Sequence, residues 1–73
     1  MIRYFCDHCG QENTGDRYRL ERVRPGSKTA QVVGDHLHRG CFQQLKSQEL
    51  EAGNTVLWCT QRSGYRRQSP EGG

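Results

Sequence analysis

At 73 residues the chain is one small domain, of a size at which core burial alone seldom gives more than about 3–5 kcal/mol and a staple is needed. Only 32% of its residues are hydrophobic, and no run reaches the length of a membrane span, which excludes a helical membrane protein and disfavours a fold held by burial alone. The net charge is +3, and nine arginines against two lysines favour recognition of phosphates or carboxylates; a solvated surface encoded by a GC-rich genome is the plainer account of the same usage.

Residues 2–5 (Ile-Arg-Tyr-Phe) alternate and are rich in β-formers, which predicts a short strand leading into Cys6-Asp7-His8-Cys9-Gly10. Two thiols separated by two residues and closed by glycine have the form of a metal-binding knuckle. Gln11 to Asp16 is a polar, turn-rich connector. Arg17 to Arg24 and Thr29 to Leu37 read as two strands joined by Pro25-Gly26-Ser27-Lys28, a strong turn signal. The prediction is a hairpin, 17–24 with 29–37, with a bulge near Gly34.

Near residue 39 the period changes. Phe42, Leu45, Glu49 and Leu50 alternate with Gln43, Gln44, Lys46, Ser47, Gln48 and Glu51, predicting an amphipathic helix over 39–52 that ends at Gly53-Asn54. Thr55 to Cys59 reads as a short buried strand carrying the only tryptophan. Residues 60–73 show no periodicity and are expected to be a flexible basic tail, leaving 1–59 as the metal-binding domain. The expected core is Tyr4, Phe5, Tyr18, Leu20, Val33, Leu37, Phe42, Leu45, Leu50, Leu57 and Trp58.

Across the chain the cysteines and histidines follow C-x2-C-x28-H-x2-C. A tetrahedral zinc site takes four such donors, and one structural Zn2+ contributes roughly 10–16 kcal/mol of apparent binding energy, enough to hold so hydrophilic a chain. The expected ligands are Cys6, Cys9, His38 and Cys41. His36 and Cys59 are rivals for the fourth position, and His8 is expected to point outward. Four cysteines also permit two disulfides, but Met1-Ile2-Arg3 runs into the knuckle without an apolar signal segment, so a reducing, cytoplasmic location is expected.

The order of knuckle, hairpin and helix, with Asp35-His36-Leu37-His38-Arg39-Gly40-Cys41-Phe42-Gln43-Gln44-Leu45 at the helix start, resembles the D-L-C-x-x-C-[FY]-x-x-L passage of small treble-clef zinc-finger proteins of phages and bacteria. His38 stands where they have a first cysteine. The string His-x-x-Cys-Phe is similar to the end of the first finger of LIM domains, although a second finger is absent. The resemblance covers residues 4–50 and implies an α+β treble clef with a short extra strand and a tail. It also implies a zinc-stabilised, non-enzymatic adaptor or regulator, a monomer docking on the transcription machinery, with RNA polymerase of a phage host as the concrete partner.

Two alternatives stand beside it. One is direct nucleic-acid binding through Arg17, Arg19, Arg22, Arg24 and Lys28 on the hairpin and Arg62, Arg66 and Arg67 on the tail, with Tyr18 and Tyr65 able to stack on bases. The other is a remnant of the HNH nucleases, since Asp35-His36 resembles the first element of their motif. No histidine follows His38, so the downstream catalytic ligand of those enzymes is missing.

Overall fold

The structure, a computed structural model, describes residues 2–70. Its elements are β1 (Tyr18–Val23), β2 (Gln31–Leu37), α1 (Arg39–Glu51), β3 (Thr55–Thr60) and β4 (Ser63–Gln68). The chain is a small α+β domain with one antiparallel sheet, ordered β2-β1-β3-β4, and one helix on it. The predicted hairpin is present. Its turn is closed by Ser27 N–H donating to the Arg24 carbonyl at 3.0 Å, with Gly26 at φ +80°, the left-handed position that a Pro-Gly type II turn requires.

Strand register sorts the side chains onto two faces. Gly34, Leu20, Trp58 and Arg66 form one row, and Gln31, Arg22, Val56 and Gln68 another; both rows face α1, where Tyr18 stacks on Phe42 and Arg22 pairs with Glu49 at 3.3 Å. Val32, Glu21, Leu57 and Arg67 form a row on the opposite, uncovered face. The core is therefore one-sided and small: Leu20, Leu37, Val56, Cys6 and Phe42 are buried, with Tyr18, Val33, Leu45, Leu50 and Trp58 packed around them.

The helix ends where the sequence indicates. Gly53, at φ +88°, donates to the Leu50 carbonyl and Asn54 N–H donates to that of Glu49, the two bonds of a Schellman motif.

Four expectations are corrected. The segment read as a flexible tail pairs with β3 over Ser63–Gln68; its strand character comes from the ladder and not from an apolar pattern, while residues 71–73 lie outside the described residues. Residues 2–5 make only an isolated bridge, Phe5 with Glu12, because the knuckle turns the chain back at once. Phe5 is 52% exposed and is no core residue. Val56 and not Leu57 is buried in β3, because the face toward α1 takes even-numbered positions there. Among the described residues no helix is long and apolar enough to cross a membrane.

Candidate metal centre

The knuckle is built by its backbone. Gly10 N–H donates to the Cys6 carbonyl at 2.8 Å and Cys6 N–H to that of Gln11 at 2.9 Å, with Gly10 at φ +77°. A side chain at Gly10 would have the space but not the conformation. The turn is tied to β2 in both directions: Asp7 N–H donates to the Asp35 carbonyl at 3.3 Å, and the Asp7 carboxylate accepts Asp35 N–H at 2.9 Å.

The other half of the centre is the first turn of α1. His38 is the N-cap, with extended backbone (φ −65°, ψ 156°), and its side chain makes no capping bond. An N-cap side chain naturally lies beside position N3, which is how Ser caps an N3 amide; here N3 is Cys41, and the two side chains share a donor position instead. The H-x2-C spacing is thus a property of helix starts.

Cys6, Cys9, His38 and Cys41 come together, each offering one donor atom, all within 4.8 Å of one another. Donors on a tetrahedral ion at about 2.3 Å lie about 3.8 Å apart, so this spread fits one structural metal ion. Cys9 Sγ is 3.4 Å from His38 Nδ1, and on the far side of the ring Nε2 is 3.2 Å from the Glu12 carbonyl. With a metal bound, the Nε2 proton donated to that carbonyl would leave Nδ1 its lone pair for the ion.

The thiols are electrostatically unequal. Burial raises the Cys6 value, but it is outweighed by the backbone amides of Cys9, His38 and His8 and by the His38 ring, which bring it down to about 6. Cys41 is pushed up to about 11, first by burial and then by the neighbouring sulfurs of Cys6 and Cys9. Three sulfurs crowding one point repel as thiolates, which is what a cation between them relieves.

The rivals for the fourth position lie elsewhere. His36 was expected on the same side of an extended chain as His38, but two register shifts against β1 and a left-handed backbone (φ +55°) turn it away. Its ring packs against Tyr4 in a tilted arrangement, 4.7 Å between centroids, with Asp35 3.9 Å off. Cys59 pairs with Arg19 on the sheet face opposite α1, where Tyr65 and Glu21 are its neighbours. His8 is exposed.

Asn13 is a residue that the sequence reading missed. It is 5% exposed, and its side-chain nitrogen lies within 3.1 Å of the carbonyls of Asp16, His36 and Leu37, while its oxygen accepts Gly15 N–H at 3.0 Å. The signal was present as Asn13-Thr14-Gly15, an Asx-turn pattern. Asn13 holds the exit of the knuckle against the last residues of β2 before His38.

The expected basic surface is divided. Arg19 pairs with Asp35 at 2.9 Å and Glu21 at 3.5 Å, Arg22 with Glu49, and the Arg17 guanidinium lies 3.7 Å over the Tyr4 ring. Arg24 and Lys28 are exposed at the hairpin turn and Arg62 at the β3–β4 turn, while Arg66 and Arg67 point to opposite faces of β4. The eight residues do not form one patch.

Comparison with known protein families, with curated proteins and with solved structures gives no match for this chain.

Proposed function

We propose that the chain is a zinc-stabilised, non-enzymatic binding module of treble-clef type that docks on a larger protein complex. The observation that carries this reading is the closed set of four protein donors. Three thiols and an imidazole select zinc over hard cations, and four protein ligands leave a tetrahedral ion no position for a reactive water. The ion's work is then structural, and knuckle, hairpin and helix around it follow the treble-clef order.

Docking on protein is supported by what the fold leaves outside. Ile2 is 80% and Phe5 52% exposed beside the knuckle. Beyond Arg39 and Gly40 in its first turn, the exposed positions of α1 are Gln43, Gln44, Ser47, Gln48 and Glu51, a face without positive charge and unsuited to a major groove. Arg19 and Arg22, two of the hairpin arginines, are already neutralised internally. The concrete candidate partner is bacterial RNA polymerase, a choice carried by the resemblance to small phage and bacterial treble clefs.

The test is capture of purified bacterial RNA polymerase by the tagged, metal-loaded chain, with Phe5→Ser as the variant. A complex formed by the parent chain and lost in Phe5→Ser, at unchanged metal content, is expected. A folded, metal-loaded chain that captures no polymerase overturns that choice of partner.

A further inference from the structure

An open cleft of about 350 Å³ runs between the start of α1 and β4, with Asp16, Tyr18, Arg39, Phe42, Trp58 and Arg66 in its walls. Three rings stand in series there. Tyr18 and Phe42 stack with centroids 4.5 Å apart, and Phe42 meets Trp58 at 5.7 Å. Phe42, the middle ring, is buried, whereas Tyr18 and Trp58 are half-exposed, so the series presents its two ends to the cleft.

Cations surround these rings. Lys46 Nζ lies 4.8 Å from the centre of the Trp58 ring, Arg66 is the cross-strand neighbour of Trp58 on the same face, and Arg39 opens the helix. Among the described residues the ion pairs of arginine are those of Arg3, Arg19 and Arg22, each with a carboxylate; Arg39, Arg66 and Lys46 have none. Arg39 and Arg66, without a carboxylate partner, thus stand at an aromatic cleft beside a single carboxylate, Asp16.

A ligand matching this surface is flat, π-rich and anionic. We propose that the cleft binds single-stranded nucleic acid, one base stacking on Trp58 beside Tyr18 while Arg39, Arg66 and Lys46 hold the flanking phosphates. The flexible Lys46 stem lets its ammonium leave the ring for a phosphate as the base arrives. A duplex does not fit, because its bases are already stacked and the outer face of α1 from Gln43 to Glu51 offers a duplex no positive charge. An acidic peptide matches the cations but leaves the rings without a partner.

This inference rests on the reading of the chain as a binding module, yet it is separable from the polymerase test, because it is read on the isolated, metal-loaded protein. Trp58 is the only tryptophan, so its emission reports the cleft directly. A deoxythymidine oligonucleotide of about twelve residues is titrated in at low salt. Saturable quenching is expected, with log K falling against log salt at a slope of about −2 for three phosphate contacts on a single strand. Arg66→Gln, on the exposed strand β4, is expected to weaken binding about tenfold without a change in melting. Three results overturn the proposal: no quenching at low salt, oligonucleotide binding seen by anisotropy that leaves Trp58 emission unchanged, or equal quenching by polyglutamate. The last would assign the cleft to acidic protein segments instead.

Discussion

The Asn13 side-chain nitrogen lies 3.1 Å from the Leu37 carbonyl, and that bond joins the loop leaving the knuckle to the strand residue that precedes His38. The two halves of the metal centre are separated by 28 intervening residues and share no strand ladder, so polar bonds of this kind set their distance.

Asn13→Ala is expected to destabilise the domain by about 2 kcal/mol, because buried carbonyls lose their donor and no water replaces the side chain at equal geometry. Asn13→Asp is expected to be worse, since a carboxylate would face the carbonyls of Asp16, His36 and Leu37. Denaturant unfolding of the metal-loaded variants measures both; an unchanged midpoint in Asn13→Ala would show that the bonds are ornamental.

Gly34 gives a second prediction. A Cβ there would come within 3.0 Å of Leu37 Cδ2, and Leu37 is fully buried with nowhere to move. Gly34→Ala should cost about 1–3 kcal/mol through overpacking, read as a lower melting temperature. The same residue sits at a register shift of the hairpin, as its position in a β-rich run suggested.

Much of this architecture was legible because it is local. Pro25-Gly26, the C-x2-C-G knuckle, the helical spacing from Phe42 to Leu50 and the Gly53-Asn54 stop each encode geometry within a few residues, and each appears where the pattern places it. What was not legible depends on partners. Strand β4 is Ser-Gly-Tyr-Arg-Arg-Gln, without an apolar alternation, and it forms because β3 offers an edge. The phase of β3 follows from the register of β1 against it, so Val56 and Leu57 are indistinguishable until the pairing is known. His36 likewise resembled a ligand until the register shifts rotated it toward Tyr4.

The contest for the fourth donor yields a third prediction. His38→Ala should lower metal affinity by more than about 100-fold, since even loss of an outer partner of a ligand costs 10–100-fold. Cys59→Ser and His36→Ala should leave affinity unchanged, because neither belongs to the cluster. Competition titration against a chromophoric chelator distinguishes the three variants, and a large loss in Cys59→Ser would reassign the centre.

Proton competition gives the fourth. At pH 7 the Cys6 sulfur, held at about 6, is mostly thiolate, whereas Cys41, at about 11, keeps its proton. Metal binding must expel the Cys41 proton, so affinity falls as pH falls, and it falls more steeply below about pH 6, where Cys6 is protonated as well. Calorimetric titration in two buffers of different protonation enthalpy should show net proton release at pH 7; a heat independent of buffer would contradict the assignment of Cys41 as a ligand.

A four-donor centre, and not the five-residue core, is expected to hold this fold together. Native mass spectrometry of the intact chain, before and after treatment with a strong chelator, tests it most directly. The expected result is the mass of one chain with one zinc ion in a narrow, low charge-state distribution, and after chelation the bare chain in the broad, high distribution of an unfolded polypeptide. A native mass without metal, or a chelated chain that keeps the narrow distribution, would contradict it.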